Sequence, residues 1–162
     1  MLMVSNVRWS QIRRISLWTA IALFILSLFS PSISLEQNWV LDRVCLAPHW
    51  ELGLGLFVIG PFGVLAGQFA WLANPFMLVA ILTHKALGVI CALLSVALTV
   101  QTAYSVTSFW MDGQVPDDVC GFGPGYYLWV ACSVLVLVAT LLKPPTKNVA
   151  SKAELTGYRQ RK

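Results

Sequence analysis

Charge is scarce in this chain. Only 11% of its 162 residues are Asp, Glu, Lys or Arg, against about 25% in an ordinary soluble domain. Hydrophobic residues make up 57%, more than so short a chain can bury in one water-facing core. A soluble single-domain fold is therefore excluded. Histidine is limited to two residues, and no acidic residue falls inside the long apolar runs. A carboxylate proton relay through a membrane lacks its groups. There are four cysteines but no Cys-x-x-Cys pair, so a dithiol redox site is not indicated. Phosphate-cradling glycine loops, dinucleotide fingerprints and zinc-protease motifs are also missing. No Ser-His or paired-Asp arrangement suggests intramembrane proteolysis. We expect no enzyme activity, no cofactor and no metal site.

What the chain has instead is apolar runs, at 15–29, 52–82, 86–106 and 125–142. A helix needs about 20 apolar residues to cross a bilayer. The sequence thus predicts an all-α, polytopic membrane protein, a four-transmembrane-helix bundle occupying 1–142. Its spans are expected at about 15–32, 52–72 with a short helix 76–82, 86–106 and 125–142. A basic cytoplasmic tail, 143–162, follows. The first segment, RRISLWTAIALFILSLFS, resembles a signal peptide. We read it as a retained signal anchor.

Charge placement orients the bundle. Arg8, Arg13 and Arg14 precede the first run, Lys85 separates the second from the third, and six basic residues follow the fourth. Ten of the eleven basic residues thus share one side, Arg43 being the exception. Glu36, Asp42, Glu51, Asp112, Asp117 and Asp118 share the other. The positive-inside rule places both termini in the cytoplasm. Short basic junctions and acidic outer loops suit the cytoplasmic (inner) membrane of a bacterium. The tail's basic residues suit anionic lipid rather than nucleic acid, since they lack aromatic interleaving.

Within the run FAWLANPFMLVAILTHK (69–85), Asn74 and Pro75 interrupt the apolar pattern. If they formed the cytoplasmic turn, Lys85 would lie at mid-depth, at about 2.5–3.5 kcal/mol. A turn at His84-Lys85 avoids this cost. We therefore expect the second span to break at Ala73, Asn74 and Pro75, because proline removes a backbone donor and clashes with the preceding turn. A broken membrane helix sometimes lines a solute or ion site. Gln68 and Gln101 lie within apolar runs and are expected to point inward, forming with Asn74 a polar lining. Gly63 and Gly67 form a GxxxG pair suited to close helix packing, within the chain or in a homo-oligomer.

The two outer loops carry one cysteine each, Cys45 and Cys120. Cys91 and Cys132 fall inside spans. An oxidising exterior favours a Cys45–Cys120 disulfide closing a loop of about 75 residues. The stretch DDVCGFGPGYYLW (117–129) combines glycines, a proline at a helix start and aromatics. Trp39, Trp50, Trp110, Phe122, Tyr126 and Tyr127 are candidates for partner binding, and also for anchoring at the membrane interface. The leading expectation is a non-enzymatic membrane protein that binds another protein, as an accessory subunit or an immunity-type protein. The alternative is a small transporter or channel component with a polar site at the broken second helix.

Overall fold

A computed structural model describes residues 2–36, 49–65, 67–83, 85–105, 108–109 and 117–142. Five α-helices and four short strands follow in the order α1 (Leu2–Leu28), β1 (Pro31–Glu36), β2 (His49–Leu52), α2 (Gly53–Leu65), α3 (Ala73–Leu82), α4 (Lys85–Ser105), β3 (Ser108–Phe109), β4 (Asp117–Phe122) and α5 (Pro124–Leu141). A 3₁₀ turn, Phe69–Leu72, leads into α3. Among the described residues, three helical segments are long and apolar enough to cross a membrane: Trp9–Leu28, Ala86–Tyr104 and Pro124–Leu141. Gly53–Leu65 and Phe69–Leu82 reach that length only together, and they meet at a bend of 113°.

The packing is that of helices in lipid. Most buried positions of α4 and α5 are small or hydroxylic, among them Ala92, Ser95, Thr99 and Thr102 on one and Cys132, Ser133, Ala139 and Thr140 on the other, with Tyr126 and Val136 the larger exceptions on α5. Large apolar side chains such as Ile15, Ile25, Ile90, Leu94 and Leu141 point outward. Small side chains let backbones approach where no hydrophobic effect drives association. Several of these hydroxyls bond to their own helix: Thr102 Oγ1 donates to Leu98 O at 2.8 Å and Thr140 Oγ1 to Leu137 O at 2.7 Å, whereas Ser95 Oγ is buried without a hydrogen-bond partner among the described residues.

The expected all-α architecture is corrected, because the two segments between helices at one end of the bundle form a small antiparallel sheet. Its strand order is β2-β1-β4-β3. Ile33 pairs with Glu51 on one side and with Phe122 on the other. These segments leave and rejoin helices at the same end, so their backbone groups need partners beyond any helix. Strand pairing supplies them. The first span also ends earlier than 32. Pro31 disfavours helix at the residue before it. The last turn of α1 tightens accordingly, with Ser30 N–H donating to Ser27 O at 3.3 Å, and β1 begins at Pro31.

Helix α5 is seated directly against β1. Gly123 N–H donates to Ser32 O at 2.9 Å. A side chain at Gly123 would strike Pro31 O and the Trp50 ring, and one at Gly125 would strike Ser32 Oγ and Ser30 O. Space, not backbone torsion, is what these two glycines provide. Pro124 opens the helix at its first position, where a missing N–H costs nothing.

The break in the second apolar run is not at Asn74-Pro75. Those residues lie in the first turn of α3, where proline fits because first-turn N–H groups have no intrahelical partner. The chain turns instead at Gly67, with φ of +83°, a conformation open to glycine. Consequently Gly63 and Gly67 do not share a helix face, and the expected GxxxG surface does not form. The close approach falls one turn earlier, at Gly60, which faces Trp71.

Candidate functional site

Two features gather the chemistry-bearing residues: the sheet end and a cavity beneath it. At the sheet end, β2 is an edge strand. His49, Trp50 and Leu52 are exposed on it. Trp50 is 52% exposed and lies over Gly123. His49 Nε2 stands 3.5 Å from Glu51 Oε1, a solvent-exposed pair whose contribution to stability is small. On β4, Cys120 Sγ lies 4.0 Å from Glu36 Oε2. Among the described residues, Cys91 and Cys132 are free thiols, both buried in the bundle.

From the sheet an aromatic chain descends along α5. Phe122 packs on Tyr126 with ring centroids 4.5 Å apart, and Tyr126 meets Tyr127 and Trp129 at 5.4 and 6.4 Å. Tyr126 is buried. Its hydroxyl donates to Thr99 O at 2.7 Å, while Thr99 Oγ1 and Ser133 Oγ approach to 3.2 Å. Each hydroxyl also reaches a carbonyl of its own helix. With one proton apiece, a bond between them requires one to release or share that carbonyl.

The cavity encloses about 100 Å³. Phe24 and Leu28 of α1, Phe57 and Gly60 of α2, Trp71 of the 3₁₀ turn, and Tyr126 and Trp129 of α5 form much of its wall. Gln68 and Asn74 are its amide residues. The wall depends on a repair. Pro61 lies inside α2, so Phe57 O lacks the N–H that residue 61 would ordinarily supply. Trp71 Nε1 donates to that carbonyl at 3.0 Å. The same indole fills the notch at Gly60 and packs on Phe57 with centroids 6.3 Å apart. On the opposite wall, Trp129 Nε1 donates to Asn74 Oδ1 at 2.9 Å. An indole N–H only donates, so it settles which end of the Asn74 amide it faces.

The sequence candidates separate accordingly. Trp39, Trp110 and Cys45 lie outside the described residues. Trp50 and Tyr127 are exposed, Phe122 is partly buried, and Tyr126 is buried. Tyr126 is therefore withdrawn as a surface for a partner, because its side chain faces α4. Gln68 and Asn74 line the cavity, but Gln101 is exposed on α4 and does not point inward. Pro75 begins a helix and breaks none. Sequence reasoning missed Trp71 and Pro61. The only cue was a proline within a run without polar neighbours, and nothing in the sequence paired it with a tryptophan ten residues on. Among the described residues, no three His, Cys, Asp or Glu side chains come together as a metal site.

The molecule is mostly helical, with three helices among the described residues long and apolar enough to cross a membrane and a small sheet at one end, which points to membrane association. No family model matches the chain, and neither the curated proteins nor the solved structures gave a match.

Proposed function

We propose that this chain is a non-enzymatic integral membrane protein that binds another protein at its sheet end, as an accessory subunit or an immunity-type protein. One observation carries the reading: β2, an edge strand among the described residues, presents Trp50 to solvent, on a sheet packed against α2 and α5. Edge strands receive partner strands through backbone hydrogen bonds, and a large aromatic supplies an anchor. Tyr127, 61% exposed at the start of α5, suits the rim of such a contact or the membrane interface.

The proposed topology has four crossings with both termini cytoplasmic, in a bacterial inner membrane. Its support is the path of the chain. Gly53 N–H bonds to Ser30 O at the sheet end, whereas α3 ends beside the start of α4, a helix whose C-terminus leads to β3. The bent segment between them thus runs from one end of the bundle to the other. We also propose a Cys45–Cys120 disulfide at the sheet end. With Cys91 and Cys132 free and buried, Cys45 is the remaining cysteine of the sequence.

The test is site-specific photocrosslinking in native membranes, with a photoreactive residue at position 50 and a control at position 90. Binding at the sheet end gives a discrete protein adduct from position 50 and lipid adducts from position 90. Lipid adducts alone from both positions overturn the reading. The transporter or channel alternative rests on Gln68 and Asn74 in the cavity wall, without Gln101.

A further inference from the structure

The cavity beneath the sheet has a composition that selects its occupant. Aromatic and aliphatic side chains dominate its wall, and no charged side chain lines it. An ion or a polar solute would exchange its hydration for a mostly apolar surface there, which disfavours its entry. Size narrows the choice. An apolar cavity of roughly 150 Å³ holds benzene, so about 100 Å³ accommodates a few carbons of an unbranched chain.

The Asn74 amide gives the site a direction. Its oxygen is committed to the Trp129 indole at 2.9 Å. Its Nδ2 makes no hydrogen bond among the described residues, which leaves two N–H donors on a residue of the cavity wall. An occupant that offers an acceptor oxygen would satisfy them. Depth fits such an occupant. Trp129 lies five residues into α5, about 8 Å below the sheet end at 1.5 Å per residue, within the outer third of the span. One wall is α2, which exposes Val58, Phe62 and Leu65 away from the cavity lining, the last at 87%. In a bilayer that face meets lipid, so the gap between α2 and the bundle borders acyl chains.

We propose that this cavity is a lipid site that takes an unbranched acyl segment whose carbonyl or carboxyl oxygen accepts a hydrogen bond from Asn74. Two sources share this chemistry, a phospholipid ester and a free fatty acid.

The test uses the full chain in phosphatidylcholine nanodiscs, with a diazirine placed in the acyl chain of either a trace phospholipid or a trace fatty acid. After illumination, adducts are mapped by peptide mass spectrometry. Labelling of Phe57, Trp71 and Trp129 is expected from at least one probe, and the probe that labels identifies the source. Ala70→Phe, which fills the cavity from its wall, should abolish these adducts while leaving those at the lipid-facing Ile90 and Leu94. Asn74→Leu should reduce them about three- to ten-fold, the loss of one hydrogen bond. Unlabelled cavity residues beside labelled Ile90 and Leu94, or labelling indifferent to Ala70→Phe, would overturn the proposal. If Ala70→Phe fails to fold, as altered adducts at Ile90 and Leu94 would reveal, the wild-type labelling pattern and Asn74→Leu decide. Cavity labelling unchanged by Asn74→Leu counts against it.

Discussion

The bundle of α1, α4 and α5 and the arm formed by α2 solve the same problem differently. In the bundle, contact runs along whole helices through Ser, Thr, Ala and Cys side chains, with local hydroxyl bonds and few large residues between helices. The arm has one buried residue in thirteen, Gly60, and exposes Leu54, Val58, Phe62 and Leu65. Much of its attachment passes through one side chain, Trp71, which fills the Gly60 notch and serves the carbonyl orphaned by Pro61. Many weak contacts hold the bundle; few hold the arm, chiefly Trp71, the edge-on Phe24–Phe57 contact and the Gly53 N–H bond to Ser30 O. The bundle should therefore tolerate individual losses, and the arm should not.

The largest expected effect strengthens the bundle side of that contrast. If Cys45 and Cys120 are joined, the chain-entropy model assigns the closure of a loop of that length about 4 kcal/mol. Reduction of the wild type and Cys120→Ser should then lower the thermal midpoint in detergent by similar amounts. A midpoint indifferent to reductant would mean no such link. Next comes Gly125→Leu, which drives a side chain into Ser32 and the Ser30 carbonyl. Overpacking costs about 1–3 kcal/mol, sometimes more, and backbone atoms yield little, so the upper part of that range should appear in the same melt.

The arm is broken more selectively. Trp71→Phe keeps most of the ring but leaves Phe57 O unserved, at about 1–3 kcal/mol for a group shielded from water. Hydrogen exchange over Gly53–Leu65 should rise while α4 and α5 keep their protection. Adding Pro61→Ala restores an N–H four residues after Phe57, so the double variant should recover part of the loss. No recovery would sever the link between the proline and the indole. Smaller still is the Asn74–Trp129 bond. Interhelical bonds in membranes average about 0.6 kcal/mol, reaching about 1.7. A double-mutant cycle with Asn74→Leu and Trp129→Phe should give a coupling in that range. The least effect belongs to Phe62→Leu on the exposed face of α2, expected within about 0.5 kcal/mol of wild type by thermal melting.

The contrast also explains which parts of the molecule were legible beforehand. The apolar runs at 86–106 and 125–142 anticipate α4 and α5 within a residue at each end. In such helices every backbone bond is internal, so composition and length suffice. The broken run was misread because two prolines compete in it. Pro75 sits beside the polar Asn74 and looks disruptive, yet it falls at a helix start; Pro61 looks embedded and harmless, yet it orphans a carbonyl. Which proline matters depends on where helices begin. The candidate residues divide on the same ground. Exposure of Trp50 fits its loop position, but burial of Tyr126 and exposure of Gln101 follow from helix rotation, which a nearly uniform apolar pattern does not encode.

By itself, then, the sequence determined a mostly helical chain with helices of membrane-crossing length and the extents of its two cleanest later helices, because hydrophobic length acts locally and additively. Only the tertiary structure decided that the interhelix segments pair as a sheet, that the break lies at Gly67, and that Trp71 and Asn74 line one cavity. Each of these depends on backbone groups finding partners far away along the chain, and no local pattern specifies which partner completes them.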